Sequence, residues 1–565
     1  MKKKIIPAVI AIALIIIVVG ISYGSKIIDK YSYSDETADL TIDYYKLTEH
    51  DEVAIVLQNE LIETRAKITD SGVCYLDFES VQDLLNDRFY ADFNENLLIY
   101  TTPTDMIVSQ IGASDYSVSG TMNSENYVIS YLEGDVLYVA LDYVKKYTNF
   151  SYELFPNPNR IQMRTQWGDV THATIKKDTN VRVKGGVKSP ILRPVTAGEM
   201  VTVIEKMETW CKVKTSDAIM GYVENKFLTD EITEVEIAVT DYVEPEYTSI
   251  KRDYPINLGW HQVMTSSANG TLDEVSMNTG TMNVISPTWF SLSDNYGSIT
   301  SIASSDYVKR AHERNMEVWG LVDNFSTEMS TFEVLSYTSR RTTLINNLMN
   351  ETLACGMDGI NIDFEQLGYE TGEHFVQFLR ELSIRCRANN IVLSVDNYVP
   401  RESTEHYNRK EQGIVADYVI IMGYDEHWGS GGVAGSVASI GFVEDGIVRT
   451  LEDVPADKVI NAIPFYTRVW KTKGGEVTSE ALGMVAANEF VDKYDLEVAW
   501  NEEACQNYAE KMMGDTFYQV WLEDEQSIET KLTIMKKHNL AGVAAWKLGF
   551  EDKSIWNVID AFVKQ

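Results

Sequence analysis

The run Asp358-Gly359-Ile360-Asn361-Ile362-Asp363-Phe364-Glu365 sets polar groups at alternate positions in an otherwise apolar segment. In a strand, side chains alternate faces, so Asn361, Asp363 and Glu365 share one face and Ile360, Ile362 and Phe364 the other. Three polar groups in line on a buried strand are costly unless they serve a purpose. Glu365, at the strand's end, is placed to give a proton to a leaving oxygen as a general acid. Asp363, two residues earlier, is close enough to raise the glutamate's pKa by like-charge repulsion, which suits that role. No second carboxylate stands locally in the position of a nucleophile. The eight histidines show no HxH or HExxH spacing, which argues against a metal-dependent deacetylase, and no metal or cofactor is expected. His261 and His427 lie near predicted strand ends and read as structural hydrogen-bonding groups.

Such a strand needs a scaffold that buries both of its faces. From residue 255 to 565, apolar β-type runs alternate with amphipathic helical segments such as Thr331–Ala354 and Gly372–Ala388. The strand candidates are Ile256–Trp260, Met282–Ser286, Glu317–Leu321, Gly359–Phe364, Ile391–Val395, Tyr418–Met422, Val459–Ile463 and Gly542–Trp546. Runs buried on both faces and joined by helices predict an α/β fold, a (β/α)8 TIM barrel, with function at the C-terminal strand ends. The long gap between the seventh and eighth runs predicts a small α+β insertion.

On these strands, Asp358–Glu365 resembles the DGxDxDxE signature of glycoside hydrolase family 18, the chitinase-like barrels. Met422-Gly423-Tyr424-Asp425 is similar to the family's M-x-Y-D on the sixth strand. Ile463–Arg468 resembles its seventh-strand motif, and Ala545–Gly549 its eighth. The resemblance implies substrate-assisted retaining hydrolysis, in which the substrate's 2-acetamido carbonyl attacks the anomeric carbon. It makes Glu365 the acid, and Asp363 the holder of the acetamido N–H. Tyr424 and Asp425 then meet the acetamido group and the intermediate, and Trp546 floors the attacked sugar. Asp358, Asn361, Met422, Tyr466, Arg468 and Trp260 join them as substrate-binding candidates. One departure stands out: Asn361 occupies the place of the first Asp of D-x-D. An amide hydrogen-bonds but cannot hold charge, so Asp363 is expected to stay turned towards Glu365 and the substrate. This feature, with Gly259-Trp260-His261 and Glu523–Ser527, resembles the spore-cortex and wall-lytic branch of the family.

The upstream modules bear on the setting. Lys2, Lys3 and Lys4 precede an uncharged apolar run from Ile5 to Ser25, which predicts a transmembrane signal anchor over 1–25 with a cytoplasmic N-terminus. Ser22-Tyr23-Gly24 leaves secretion after signal cleavage as the alternative. Residues 26–50 read as a tether. Residues 51–166 carry a duplicated strand–helix–strand pattern that resembles the stalk domain of copper amine oxidases. Residues 170–230 resemble an all-β bacterial SH3-like domain, with Trp210 and Tyr222 expected in its core. An acidic linker, 231–254, leads to the barrel at 255–565.

The chain has 49 basic and 84 acidic residues, a net charge of −35, which disfavours nucleic acid and anionic lipid as partners and admits an uncharged sugar. Its five scattered cysteines suggest neither a zinc site nor a disulfide framework. The expected function is hydrolysis of β-1,4 bonds in an N-acetylglucosamine-containing wall polymer, peptidoglycan, outside the cell membrane. The alternatives are a chitinase and an inactive chitinase-like sugar binder. The presence of Glu365 argues against the last.

Overall fold

The computed structural model describes residues 2–564. Met1 of the predicted anchor and Gln565 of the predicted barrel lie outside the described residues. The chain divides into two compact units. The first comprises Met1–Phe89, Ser109–Tyr116 and Met122–Glu244, and the second Tyr90–Val108, Ser117–Thr121 and Pro245–Gln565.

In the first unit a helix runs over Lys2–Tyr31, and its stretch Val9–Tyr31 is long and apolar enough to cross a membrane. Two seven-stranded sheets follow. In the first, Cys74–Asp77 feeds directly into helix Phe78–Leu84, and Val136–Ala140 into the short helix Leu141–Val144. The two strands pair antiparallel, with Leu76 opposite Val139. The two helices differ in their caps. Asp77 accepts a hydrogen bond from the Ser80 N–H at 2.9 Å, whereas Ala140, with no side-chain acceptor, begins a helix of one turn.

The second sheet packs Val181, Leu192, Val201, Cys211, Val213 and Val223 into a small core. Trp210 and Tyr222 are half-buried and stand outside that core, contrary to expectation. The reason is the strand period: Cys211, Val213 and Val223 face inward, so Trp210 and Tyr222 must face the other way. Cys74, Cys211 and Cys386 are buried, while Cys355 and Cys505 are half-buried, and all five are free thiols.

The second unit is built on eight parallel strands. They are β1 (Ile256–His261), β2 (Val284–Leu292), β3 (Glu317–Asp323), β4 (Gly359–Asp363), β5 (Val392–Tyr398), β6 (Tyr418–Met422), β7 (Val459–Pro464) and β8 (Gly542–Trp546). Each pairs with its neighbour in chain order, and β8 pairs back to β1, which closes the barrel. Ile256, Leu258, Trp260, Val284, Trp319, Leu321, Ile420 and Ile460 fill the interior, and a larger apolar layer lies between strands and helices. The insertion between β7 and β8 is a five-stranded antiparallel sheet with helix Met484–Lys493, as expected.

Residues 90–101 support the barrel unit from outside. Asp92 accepts hydrogen bonds from the N–H and hydroxyl of Thr338, at 2.7 and 2.6 Å, at the start of helix Thr338–Cys355. A carboxylate there satisfies orphan donors and complements the helix dipole. One turn on, Arg341 is fully buried and pairs with Glu381 at 2.9 Å, with Tyr90 Oη accepting a further bond at 3.0 Å. These contacts hold the helix that delivers the chain into β4.

Candidate active site

β4 ends at Asp363, and the alternation read from the sequence puts Asn361, Asp363 and Glu365 towards the barrel axis. Asn361 is completely buried and fully satisfied. Its Oδ1 accepts from Trp260 Nε1 at 2.9 Å and Ser286 Oγ at 3.3 Å. Its Nδ2 donates to Ser394 Oγ at 3.1 Å and Asp396 Oδ1 at 2.8 Å. An indole N–H only donates and a carboxylate only accepts, so these partners fix the orientation of the amide.

Glu365 lies two residues beyond the last β3–β4 pair, Asp323 with Asp363. There the side chain of Asn324 continues the ladder. Its Oδ1 accepts from the Glu365 N–H at 2.8 Å, and its Nδ2 donates to the Glu365 carbonyl at 2.9 Å. The carboxyl is held by Tyr398 at the end of β5, whose hydroxyl donates to Glu365 Oε2 at 2.6 Å. That hydroxyl also accepts from the Gln366 N–H at 3.2 Å, which leaves its own proton for the carboxylate. With Oε2 occupied as an acceptor, the proton of a neutral Glu365 sits on Oε1.

The sixth-strand motif turns sharply after Met422. A Cβ on Gly423 would lie 2.7 Å from the Ala462 carbonyl oxygen, so only glycine fits between β6 and β7. Asp425 adopts a left-handed backbone, φ 57°, and accepts a 2.6 Å hydrogen bond from the Tyr466 hydroxyl. Burial and the neighbouring Tyr466, Asp363, Asp396 and Glu365 push the Tyr424 hydroxyl pKa up, so it stays a neutral donor.

These groups line a cavity of about 230 Å³ that contains Asp363, Glu365, Asp396, Tyr424, Tyr466 and Trp546. An adjoining cavity of about 390 Å³ shares Glu365, Tyr398, Met422, Tyr424 and Asp425 with it, and adds Arg401, Trp428 and Phe442. Burial, then the charges of Asp396, Glu365 and Asp323, hold the Asp363 carboxyl well above the usual range. Asp396 is raised by burial, against a hydrogen bond from Asn361 that lowers it. Glu365 is raised chiefly by burial, with Asp425 and Asp323 as the contributing like charges and the Tyr398 hydrogen bond opposing. The repulsion between Asp363 and Glu365 anticipated from the sequence acts together with burial, and both carboxyls are raised. Asp363 Oδ1 is buried with no hydrogen-bond partner, and a buried acceptor left unpaired is unfavourable until something donates to it.

Glu365, Asp363, Tyr424, Asp425, Met422, Trp546, Tyr466 and Trp260 all line the smaller cavity. Trp260 is nonetheless almost wholly buried, with its N–H engaged by Asn361. Asp358 and Arg468 line neither cavity. Asp358 precedes β4 at the opposite end of the strand, where its Oδ2 accepts from His312 Nε2 and the Val318 N–H, both at 2.8 Å. Arg468 lies on the insertion strand Tyr466–Lys473 and donates to Ser479 Oγ at 3.1 Å. His261 bonds Tyr307 and Thr271, and burial lowers its pKa to about 4, which keeps it neutral. Asp396, Tyr398 and Asn324 were not anticipated. The first two carried a signal, since Ser394, Asp396 and Tyr398 alternate like Asn361, Asp363 and Glu365. Among the described residues no cluster of His, Cys, Asp and Glu is arranged to hold a metal ion.

Replacing Asn361 by Asp is expected to move the pH profile of kcat upward by about one unit, with KM little changed. The variant removes the donor that lowers Asp396 and sets a second carboxyl against it, so the buried set retains a proton to higher pH. Its folded-state carboxyl pKa values rise above the unfolded value near 3.9, so its stability relative to wild type must decline as pH increases from there. Superimposable pH–rate curves for the two proteins would refute this role for Asn361.

Residues 287–551 match the family model described as glycosyl hydrolases family 18, and residues 177–229 match bacterial SH3 domain. A Bacillus subtilis protein described as an uncharacterized glycosylase, YvbX, is 27% identical over 295 residues, covering 49% of this chain and 84% of that protein. The cortical fragment-lytic enzyme of Bacillus anthracis is 27% identical over 248 residues, 42% of this chain. The chain spans just over half of that relative, 56% of its length. The crystal structure of the Bacillus cereus spore cortex-lytic enzyme SleL shares the fold, with a TM-score of 0.50 at 22% identity over 58% of this chain and 78% of that one.

Proposed function

We propose that this chain, whose barrel is that of a family 18 glycoside hydrolase, cleaves the β-1,4 bond on the reducing side of N-acetylglucosamine in peptidoglycan, with retention and by substrate assistance. The observation that carries the mechanism is Asp363 Oδ1, a buried acceptor without a partner, in the cavity that also holds Glu365, Tyr424 and Trp546. An acetamido N–H supplies the missing donor. Trp546 offers an apolar face for the sugar ring, and the neutral Tyr424 hydroxyl a donor for the acetamido oxygen.

In the first step the acetamido oxygen forms a bond to C1 as the C1–O bond to the leaving sugar breaks. Glu365 Oε1 gives its proton to the departing oxygen. Asp363, holding the N–H, stabilises the positive charge of the oxazolinium. In the second step the Glu365 carboxylate takes a proton from water as the water oxygen bonds to C1 from the vacated face. The oxazolinium opens back to acetamide, and Glu365 is again protonated. The two inversions at C1 sum to retention.

The wall as substrate is supported by the SH3-like region, the glycosylase relatives and the N-terminal apolar helix. We read that helix as an uncleaved anchor that leaves the barrel outside the cell, and residues 51–166 as a stalk or spacer. The test is the product profile of purified peptidoglycan, with chitin oligomers run in parallel. Mass spectrometry is expected to find N-acetylglucosamine at the new reducing ends. Muramyl reducing ends, or turnover of chitin alone, would overturn the substrate assignment.

A further inference from the structure

The two cavities at the barrel mouth differ in charge. The smaller is lined by Asp363, Glu365, Asp396 and Asp425, with no cation among its described lining residues. The larger holds Arg401, the one cation among its described lining residues, together with Glu365 and Asp425. The chain as a whole carries 84 acidic and 49 basic residues, so a cation in this cleft runs against its overall charge. Even so, the Arg401 guanidinium forms no ion pair with any described carboxylate. Its backbone N–H bonds Thr404 Oγ1 at 3.1 Å, and its side chain lies over the Phe442 ring, 6.0 Å from the centroid. Arg401 is exposed, and its guanidinium lines the cleft that also holds the general acid with its fork of donors free for an incoming anion.

Geometry says which part of a substrate it meets. The attacked sugar belongs in the cavity that contains Asp363 and Trp546. The oxygen that Glu365 protonates joins this sugar to the leaving one. The adjoining cavity shares Glu365, Tyr398, Met422, Tyr424 and Asp425 but lacks Asp363 and Trp546, so it receives the leaving sugar. Trp428 lies there too, half exposed, as a surface for that ring.

We infer that Arg401 binds a carboxylate carried by the leaving sugar, and so selects bonds between N-acetylglucosamine and a sugar with an acidic ether substituent of the muramyl type over bonds in a neutral polymer. This rests on the hydrolase reading above. It makes Arg401 a specificity residue, whose contact is made in the bound substrate and kept as the bond breaks. The carboxylate also places negative charge near Glu365, which favours the protonated acid.

The experiment compares soluble, uncross-linked glycan fragments with free lactyl carboxylates against the same fragments after methyl esterification. The full-length chain is used in detergent. Wild type is expected to favour the acid over the ester by about tenfold in kcat/KM, the scale of one partly exposed charge-assisted contact. Arg401→Gln should bring that ratio to about one, and Arg401→Lys should restore part of it. Equal rates on acid and ester in wild type, or an unchanged ratio in Arg401→Gln, would overturn the inference. Binding of both fragments to Glu365→Gln, measured by calorimetry, separates this from the hydrolase reading. If wild type cleaves neither fragment, the hydrolase reading falls, while an acid preference in binding that Arg401→Gln erases still upholds the contact. Equal affinities remove it.

Discussion

Glu365→Gln lowers kcat on a natural glycan by about three orders of magnitude and leaves the affinity for that glycan nearly intact. The amide keeps the shape of the side chain and can still accept from Tyr398, whose hydroxyl lies 2.6 Å from Glu365 Oε2. The Asn324 clamp grips the backbone, so it is untouched by the change. What is lost is a proton that can leave, and with it both the acid step and the later base step. The leaving group gives an internal control. A nitrophenolate departs without much protonation, so the variant's deficit on an aryl glycoside should be far smaller in the first step than on a sugar leaving group. A uniform loss on both substrates would mean that Glu365 shapes the site and does not donate the proton. Wild-type activity should also fall at high pH as Glu365 ionises, above the usual glutamate range because burial raises it.

How much of this was legible in the sequence depends on whether the signal was local. The alternation in β4 is local, since it needs only a strand and a buried face, and Asn361, Asp363 and Glu365 appear on that face as read. The eight strands were equally legible, because parallel strands covered on both sides leave continuous apolar runs. The reading of β5 stopped at Val395, where polar residues resemble the start of a loop. The strand continues to Tyr398, and Asp396 and Tyr398 were lost with it. Polar residues at strand ends are where a barrel keeps its chemistry, so an apolar criterion trims the functional positions first.

Other features had no local signal. Asn324 serves Glu365 from 41 residues away, and nothing in its neighbours marks it. Trp260, a substrate-binding candidate from its motif, also fixes through its N–H the amide of Asn361, 101 residues on, and no local signal marks that role. Asp358 shares a motif with Glu365, yet a strand rises about 3.3 Å per residue, so motif membership separates the two by the length of β4. The same geometry explains Trp210 and Tyr222: aromatic residues were assigned to a core by type, whereas the strand's period assigns them outward.

Asp363→Asn is expected to lower kcat on N-acetylated substrates by about 10²–10³-fold, the scale on which removal of one preorganised stabilising group acts. An amide can still accept the acetamido N–H through its oxygen, so binding of substrate should change less than turnover. It carries no charge to set against the oxazolinium, so the loss falls on the step that forms it. A thiazoline mimic of the bicyclic intermediate should therefore bind the variant much more weakly, while a substrate fragment binds almost as before. The pH profile supplies an independent readout. Asp363 and Glu365 titrate as an interacting pair, so the two limbs of a bell-shaped curve belong to the pair. With only Glu365 left, the rising limb is lost and activity declines with pH along a single limb. Folding moves the other way. The Asp363 carboxyl pKa is held well above its unfolded value by burial and like charge. A group raised in this sense makes the wild type lose stability as pH climbs from the unfolded pKa towards the folded one. Asn has no such titration, so the melting temperature of Asp363→Asn should gain on wild type as pH rises above the unfolded carboxyl value near 3.9. Parallel melting curves would show that Asp363 is not buried as a costly charge. A bell retaining both limbs would show that another group titrates in its place. Loss of turnover together with a pH-dependent gain in stability would mark Asp363 as a group kept in an unfavourable place for its work on the substrate.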